Sequence, residues 1–87
     1  MPGFVLTNKA KADLIAIGRY TAETWGREQR NGYLALLDGC FHELAANPLK
    51  GRDCSSILPG YRKQGVGRHI VFYRSIADDR IEMGNWV

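Results

Sequence analysis

Between Lys9 and Ala46 apolar residues recur at helical spacing, interrupted at Gly26 and stopped by Asn47-Pro48. This pair of linked amphipathic stretches constrains the fold more than any other feature. In the first stretch Ala10, Leu14, Ile17, Tyr20 or Thr21, and Thr24 or Trp25 form one side, with Lys11, Asp13, Arg19 and Glu23 on the other. In the second, from about Arg27 to Ala46, the stripe is Tyr33, Leu37, Cys40 or Phe41, and Leu44. Two such helices turning at Gly26 predict a helical hairpin. Asn8 is the expected cap of the first helix, which begins near Lys9. Gly32 and Gly39 inside the second helix cost about 1 kcal/mol each, which leaves two readings open: close backbone approach, or surface positions that tolerate glycine.

Strand patterns flank the hairpin. Phe4 to Thr7 precede it, and a loop rich in glycine, serine and aspartate runs from Pro48 to Gly60. Tyr61 to Gln64 reads as a strand, Gly65-Val66-Gly67 as a turn or bulge, and Arg68 to Arg74 as the clearest strand of the chain. Ile70 and Phe72 alternate with Val71 and Tyr73, so both faces of that strand are expected to be largely covered. Asp78 and Asp79 mark a turn before a last strand, Arg80 to Met83, with Ile81 and Met83 inward. The order β-α-α-β-β-β predicts an α+β fold, a helical hairpin packed on one face of a small, mostly antiparallel sheet.

Eighty-seven residues make one domain, 1–87, and its 45% hydrophobic and 24% charged content excludes a disordered chain. A chain this short hides only about 60% of the surface of its unfolded form, so a face that binds a partner is expected. The net charge of +3 is unevenly spread. The stretch from Met1 to Leu49 is neutral, whereas Lys50, Arg52, Arg62, Lys63, Arg68 and Arg74 face Asp53 alone, and the end beyond Arg74 is acidic. Tyr61, His69, Phe72 and Tyr73 interleave with these cations, a mixture suited to nucleic acid, to an acidic peptide, or to a charge-protected sheet edge.

No basic-then-apolar leader opens the chain and no run approaches a membrane span, so a cytoplasmic setting without membrane contact is expected. Cys40 and Cys54 read as ordinary thiols, with Cys40 buried on its helical stripe. His42-Glu43 lacks the second histidine one turn on that a zinc helix needs, since Ala46 stands there, and Gly65-Val66-Gly67 lacks the third glycine of a dinucleotide loop. No metal and no cofactor are expected. One catalytic alternative stays open, metal-free RNA cleavage with Arg62, Lys63, Arg68 or Arg74 on phosphate and His69 or Tyr73 moving protons.

Taken in order, Ala10-Lys11-Ala12-Asp13-Leu14, Trp25-Gly26-Arg27-Glu28-Gln29, Tyr33, Leu44-Ala45-Ala46-Asn47-Pro48, Gly51-Arg52, Gly60-Tyr61-Arg62 and Gly67-Arg68-His69-Ile70-Val71-Phe72-Tyr73-Arg74 resemble the ParE branch of the ParE/RelE toxin superfamily. The resemblance implies a non-enzymatic toxin of a type II toxin-antitoxin system that inhibits DNA gyrase and is neutralised by a ParD-like antitoxin. The candidates for binding target or antitoxin are Trp25, Tyr33, Arg62, Lys63, Arg68, His69, Tyr73 and Arg74. A ribosome-dependent RNase of RelE type is the alternative. Family members continue the last strand into a further tail, whereas Arg80-Ile81-Glu82-Met83 is followed here by Gly84-Asn85-Trp86-Val87. Against that pattern, a toxin weakened at its C-terminus is a second expectation.

Overall fold

The computed structural model describes residues 3–77 and 79–86. Strand β1 (Gly3–Leu6) leads into helix α1 (Asn8–Trp25) and helix α2 (Arg27–Ala46), joined at Gly26, whose φ of 92° favours a residue without a Cβ. A 3₁₀ turn (Pro48–Lys50) follows, then β2 (Arg52–Asp53), β3 (Arg62–Val66), β4 (His69–Ala77) and β5 (Arg80–Trp86). The sheet order is β1-β5-β4-β3-β2, with β1 parallel to β5 and every other pair antiparallel. The α+β hairpin-on-sheet architecture is the expected one, with a fifth strand where a loop was expected. Arg52 and Asp53 join the sheet by pairing with Lys63 and Arg62, too short a segment for alternation to reveal.

The boundaries differ where two signals competed. Thr7, not Asn8, caps α1: its extended backbone lets the hydroxyl accept from the Ala10 N–H (3.0 Å) while donating to the Gly84 carbonyl (2.7 Å). That second bond reaches β5, a long-range choice no local pattern contains. Gly65 and Val66 lie in β3, because they pair with Ile70 and His69, and the turn narrows to Gly67-Arg68. β5 runs three residues beyond Met83, with the register against β4 shifting between Phe72 and Tyr73. Asp78, expected in the preceding turn, lies outside the described residues.

The core lies between hairpin and sheet. Leu37, Leu44, Val71, Ile81 and Met83 are fully buried, and Phe4, Phe41 and Trp86 stack across the layers with centroids 5.2 and 5.3 Å apart. Each large apolar side chain removed from water there contributes about 1.5–3 kcal/mol. The helices cover one face only. Val71 and Tyr73 point into the core, while Ile70 is 38% exposed and Phe72 half-buried, so the expectation that both faces of this strand are covered fails. β4 is central within its sheet, but among the described residues no second layer packs on its outer side. Cys40 is half-buried rather than buried, and burial raises its thiol pKa; Cys54 takes the fully buried place. An added Cβ at Gly32 or Gly39 meets nothing within 4 Å, so both are surface glycines.

Candidate functional site

The eight candidate residues fall into three places. Cross-strand partners share a face, so the pairing of Arg62 with Tyr73 puts both on the helix side of the sheet. Tyr73 is 1% exposed; its hydroxyl donates to the Pro48 carbonyl (2.7 Å) and accepts from the Gly51 N–H (2.9 Å). Burial raises its pKa, against the lowering effect of the Gly51 bond and of Arg62. The Arg62 guanidinium donates to the Gly51 carbonyl (2.9 Å). These two candidates therefore pin the chain between α2 and β2 to the sheet.

Lys63 and Arg74 lie on the uncovered face. Lys63 pairs with Phe72, and Arg74 pairs with Glu82, to which its Nε donates (3.0 Å). Hydrogen bonding to Glu82 and that carboxylate's charge raise the Arg74 pKa, and its guanidinium stands 5.9 Å from the Tyr61 ring centroid. This face combines cations with Tyr61, Ile70 and Phe72 and has no helix over it.

The remaining four meet where the hairpin junction approaches the β3–β4 turn. The Tyr33 hydroxyl accepts from the Arg68 backbone N–H (3.0 Å) and lies 2.6 Å from His69 Nδ1. Arg68 stacks on Trp25 at 5.2 Å from the ring centroid. Burial, then the Arg68 charge, lower the His69 pKa and so favour the neutral ring, and the Tyr33 hydroxyl also reaches the Val66 carbonyl (3.4 Å) as a donor. Gly67 makes the approach possible: its φ is 57°, and a Cβ there would sit 2.5 Å from the Tyr33 ring.

A fourth feature lay outside the candidate set. Between α1, α2 and β1 runs a groove of about 880 Å³ with Leu14, Ile15, Leu34 and Phe41 among its apolar residues, and with Arg19, Arg27 and Arg30 set against Glu23 and Asp38. Ile15 is 65% exposed beside the core stripe of α1, whereas Leu34, three residues before Leu37 and seven before Phe41, continues their stripe and packs against the core. The floor of the groove is laid by stripe residues, Leu14, Leu37 and Phe41, so the added signal in the sequence is Ile15.

Among the described residues no group of histidine, cysteine or acidic side chains is placed to hold a metal, and no helix is long and apolar enough to cross a membrane.

A family model described as ParE toxin of type II toxin-antitoxin system, parDE, matches residues 4–83. Toxin ParE1 of Mycobacterium tuberculosis (strain ATCC 25618 / H37Rv) is 39% identical over 80 residues, which span 92% of this chain and 82% of the relative. Toxin ParE of Escherichia coli is 38% identical over 83% of this chain and 70% of its own. Toxin ParE1 of Caulobacter vibrioides is 36% identical over 85% of this chain and 77% of its own. A solved structure described as the chromosomal ParDE TA system from P. aeruginosa superposes with a TM-score of 0.80 over 99% of this chain and 94% of that one, at 23% identity, which speaks to the fold alone. With the hairpin, the sheet and nearly the whole length accounted for, the chain belongs to the ParE toxin family of type II toxin-antitoxin systems.

Proposed function

We propose that the chain inhibits DNA gyrase by binding rather than by catalysis, that it acts in the cytoplasm, and that a ParD-like antitoxin silences it. The observation that carries the binding mode is the dispersal of the catalytic candidates. RNA cleavage needs a proton-transfer group and phosphate-binding cations around one scissile bond. Tyr73, however, is buried with both hydroxyl bonds used, Arg62 holds a backbone carbonyl, and Lys63 and Arg74 face the other side of the sheet, which leaves Arg68 as the single candidate cation beside His69, itself bonded to Tyr33. Family membership supports gyrase as the target.

The groove supports the antitoxin as partner. Its apolar floor suits an amphipathic segment that orders as it binds, and the cations from Lys50 to Arg74 offer a second contact for acidic residues of the same partner. Leu34→Glu puts a charge into that floor, and the expected outcome is antitoxin binding weakened by about tenfold or more, read by calorimetry. Gyrase supercoiling is the direct test. Inhibition near stoichiometric amounts of the chain, relieved by antitoxin, supports the reading; undiminished supercoiling at large excess of folded chain overturns it, and cleaved messages in a translation assay favour the RelE-type alternative.

A further inference from the structure

We propose that the pocket between the hairpin junction and the β3–β4 turn binds a phosphorylated nucleobase, taken either as a free mononucleotide or as the 5′ end of a single strand. The proposal is independent of the gyrase reading. The pocket encloses about 240 Å³ and is lined by Tyr20, Trp25, Gln29, Tyr33, Arg68 and His69. Tyr20, Trp25 and Tyr33 bring three aromatic rings to one cavity, apart from Phe4, Phe41, Tyr73 and Trp86 in or against the core. Tyr20 is 62% and Trp25 54% exposed, so both offer ring surface that the fold does not use.

The charge at the site narrows the ligand. No carboxylate among the described residues pairs with Arg68, a state it shares with most of the chain's cations, but Arg68 alone of these unpaired cations lies over an aromatic ring. Arg68 is instead stacked on Trp25, an arrangement in which a guanidinium keeps its donor edge free for an anion while its face covers a ring. His69 stands beside it with its cation disfavoured by burial and then by the Arg68 charge, so Arg68 supplies the charge of the pocket. Gln29 adds an amide, which both donates and accepts, as a base edge requires. Inorganic phosphate alone answers Arg68 and leaves the rings wet; an apolar side chain covers the rings and leaves Arg68 without an anion. A base carrying a phosphate satisfies both, by the stacking and charge pairing through which single strands are generally held.

Trp25 and Trp86 are the only tryptophans, and Trp86 is buried on Phe41, so two indole N–H resonances separate pocket from core, with Trp25→Phe assigning them. The full chain is titrated with 5′-AMP, adenosine, inorganic phosphate and a 5′-phosphorylated oligonucleotide. Saturable movement of the Trp25 resonance by 5′-AMP, with adenosine and phosphate each about tenfold weaker or more, is expected, as is a loss of about tenfold in AMP affinity on Arg68→Gln with adenosine unaffected. An oligonucleotide that binds far more tightly than 5′-AMP identifies a strand as the ligand; equal affinities identify the mononucleotide. The proposal falls if neither 5′-AMP nor the oligonucleotide moves Trp25 in protein with native circular dichroism, or if Arg68→Gln binds AMP as the unaltered chain does.

Discussion

Tyr33 and Tyr73 perform the same task at the two ends of β3, and they differ in what surrounds them. Each phenol bonds a backbone N–H, that of Arg68 or of Gly51, and each lies against a glycine whose absent Cβ makes room for it. Tyr73 is 1% exposed and bonds only main chain, so its anchor is fixed by covalent geometry. Tyr33 is half-buried and shares its hydroxyl with His69, a group that titrates, beside a cavity open to ligands. The buried anchor holds the fold and the open one shapes a surface.

The largest expected effect breaks the buried anchor by sterics. At Gly51 an added Cβ would stand 2.3 Å from the Tyr73 hydroxyl and 2.9 Å from the Lys63 carbonyl, and neither is the free end of a flexible side chain. Gly51→Ala should therefore cost about 3 kcal/mol, measured by urea denaturation. Next comes Tyr73→Phe, which leaves the Gly51 N–H and the Pro48 carbonyl without their partner at a cost of about 2 kcal/mol, read in the same way. The matching change at the open anchor, Gly67→Ala, adds a Cβ at φ 57° and 2.5 Å from the Tyr33 ring. Because that ring can swing toward solvent, a cost of about 1–2 kcal/mol is expected, together with a displaced Trp25 resonance. If Gly67→Ala proves as damaging as Gly51→Ala, the distinction between the two anchors is wrong.

The same contrast explains what was readable from the residues. Helices α1 and α2 were legible because their stripes repeat over many turns, and Ile81 and Met83 because alternation fixed their face. Sequence alone grouped Tyr73 with His69 as proton-transfer candidates, since both are aromatic polar residues on one strand. Their separation depends on what lies across the chain: Pro48 and Gly51 for one, Tyr33 for the other, contacts 22 to 36 positions apart. Thr7 outcompeted Asn8 as cap for the same reason, through a bond to Gly84, 77 positions away. The lining of the groove is not separable from the core in the sequence, because Leu14, Leu37 and Phe41 serve both and Ile15 is a single exposed apolar residue beside them.

The smallest expected effect is the most specific to the comparison, since the two anchors should loosen at opposite ends of the pH scale. His69 in the folded chain lies below its ordinary value of 6.5, because burial and then Arg68 disfavour its cation. As pH falls below about 6.5 the unfolded chain takes up a proton that the folded chain resists, so stability declines from there down to the folded pKa and is unaffected above. The protonated ring carries an N–H on both nitrogens, so in that state the Tyr33 hydroxyl accepts at Nδ1 and gives its own proton to the Val66 carbonyl, 3.4 Å away. Tyr73, raised above 10 by burial, works in the other sense: above about pH 10 the unfolded phenol ionises first, and stability is lost as pH rises toward the folded value. Thermal melts across both ranges should show an acid decline that His69→Gln flattens and an alkaline decline that it leaves unchanged. An acid slope that survives His69→Gln would remove the titrating group from the open anchor and make the two phenols equivalent.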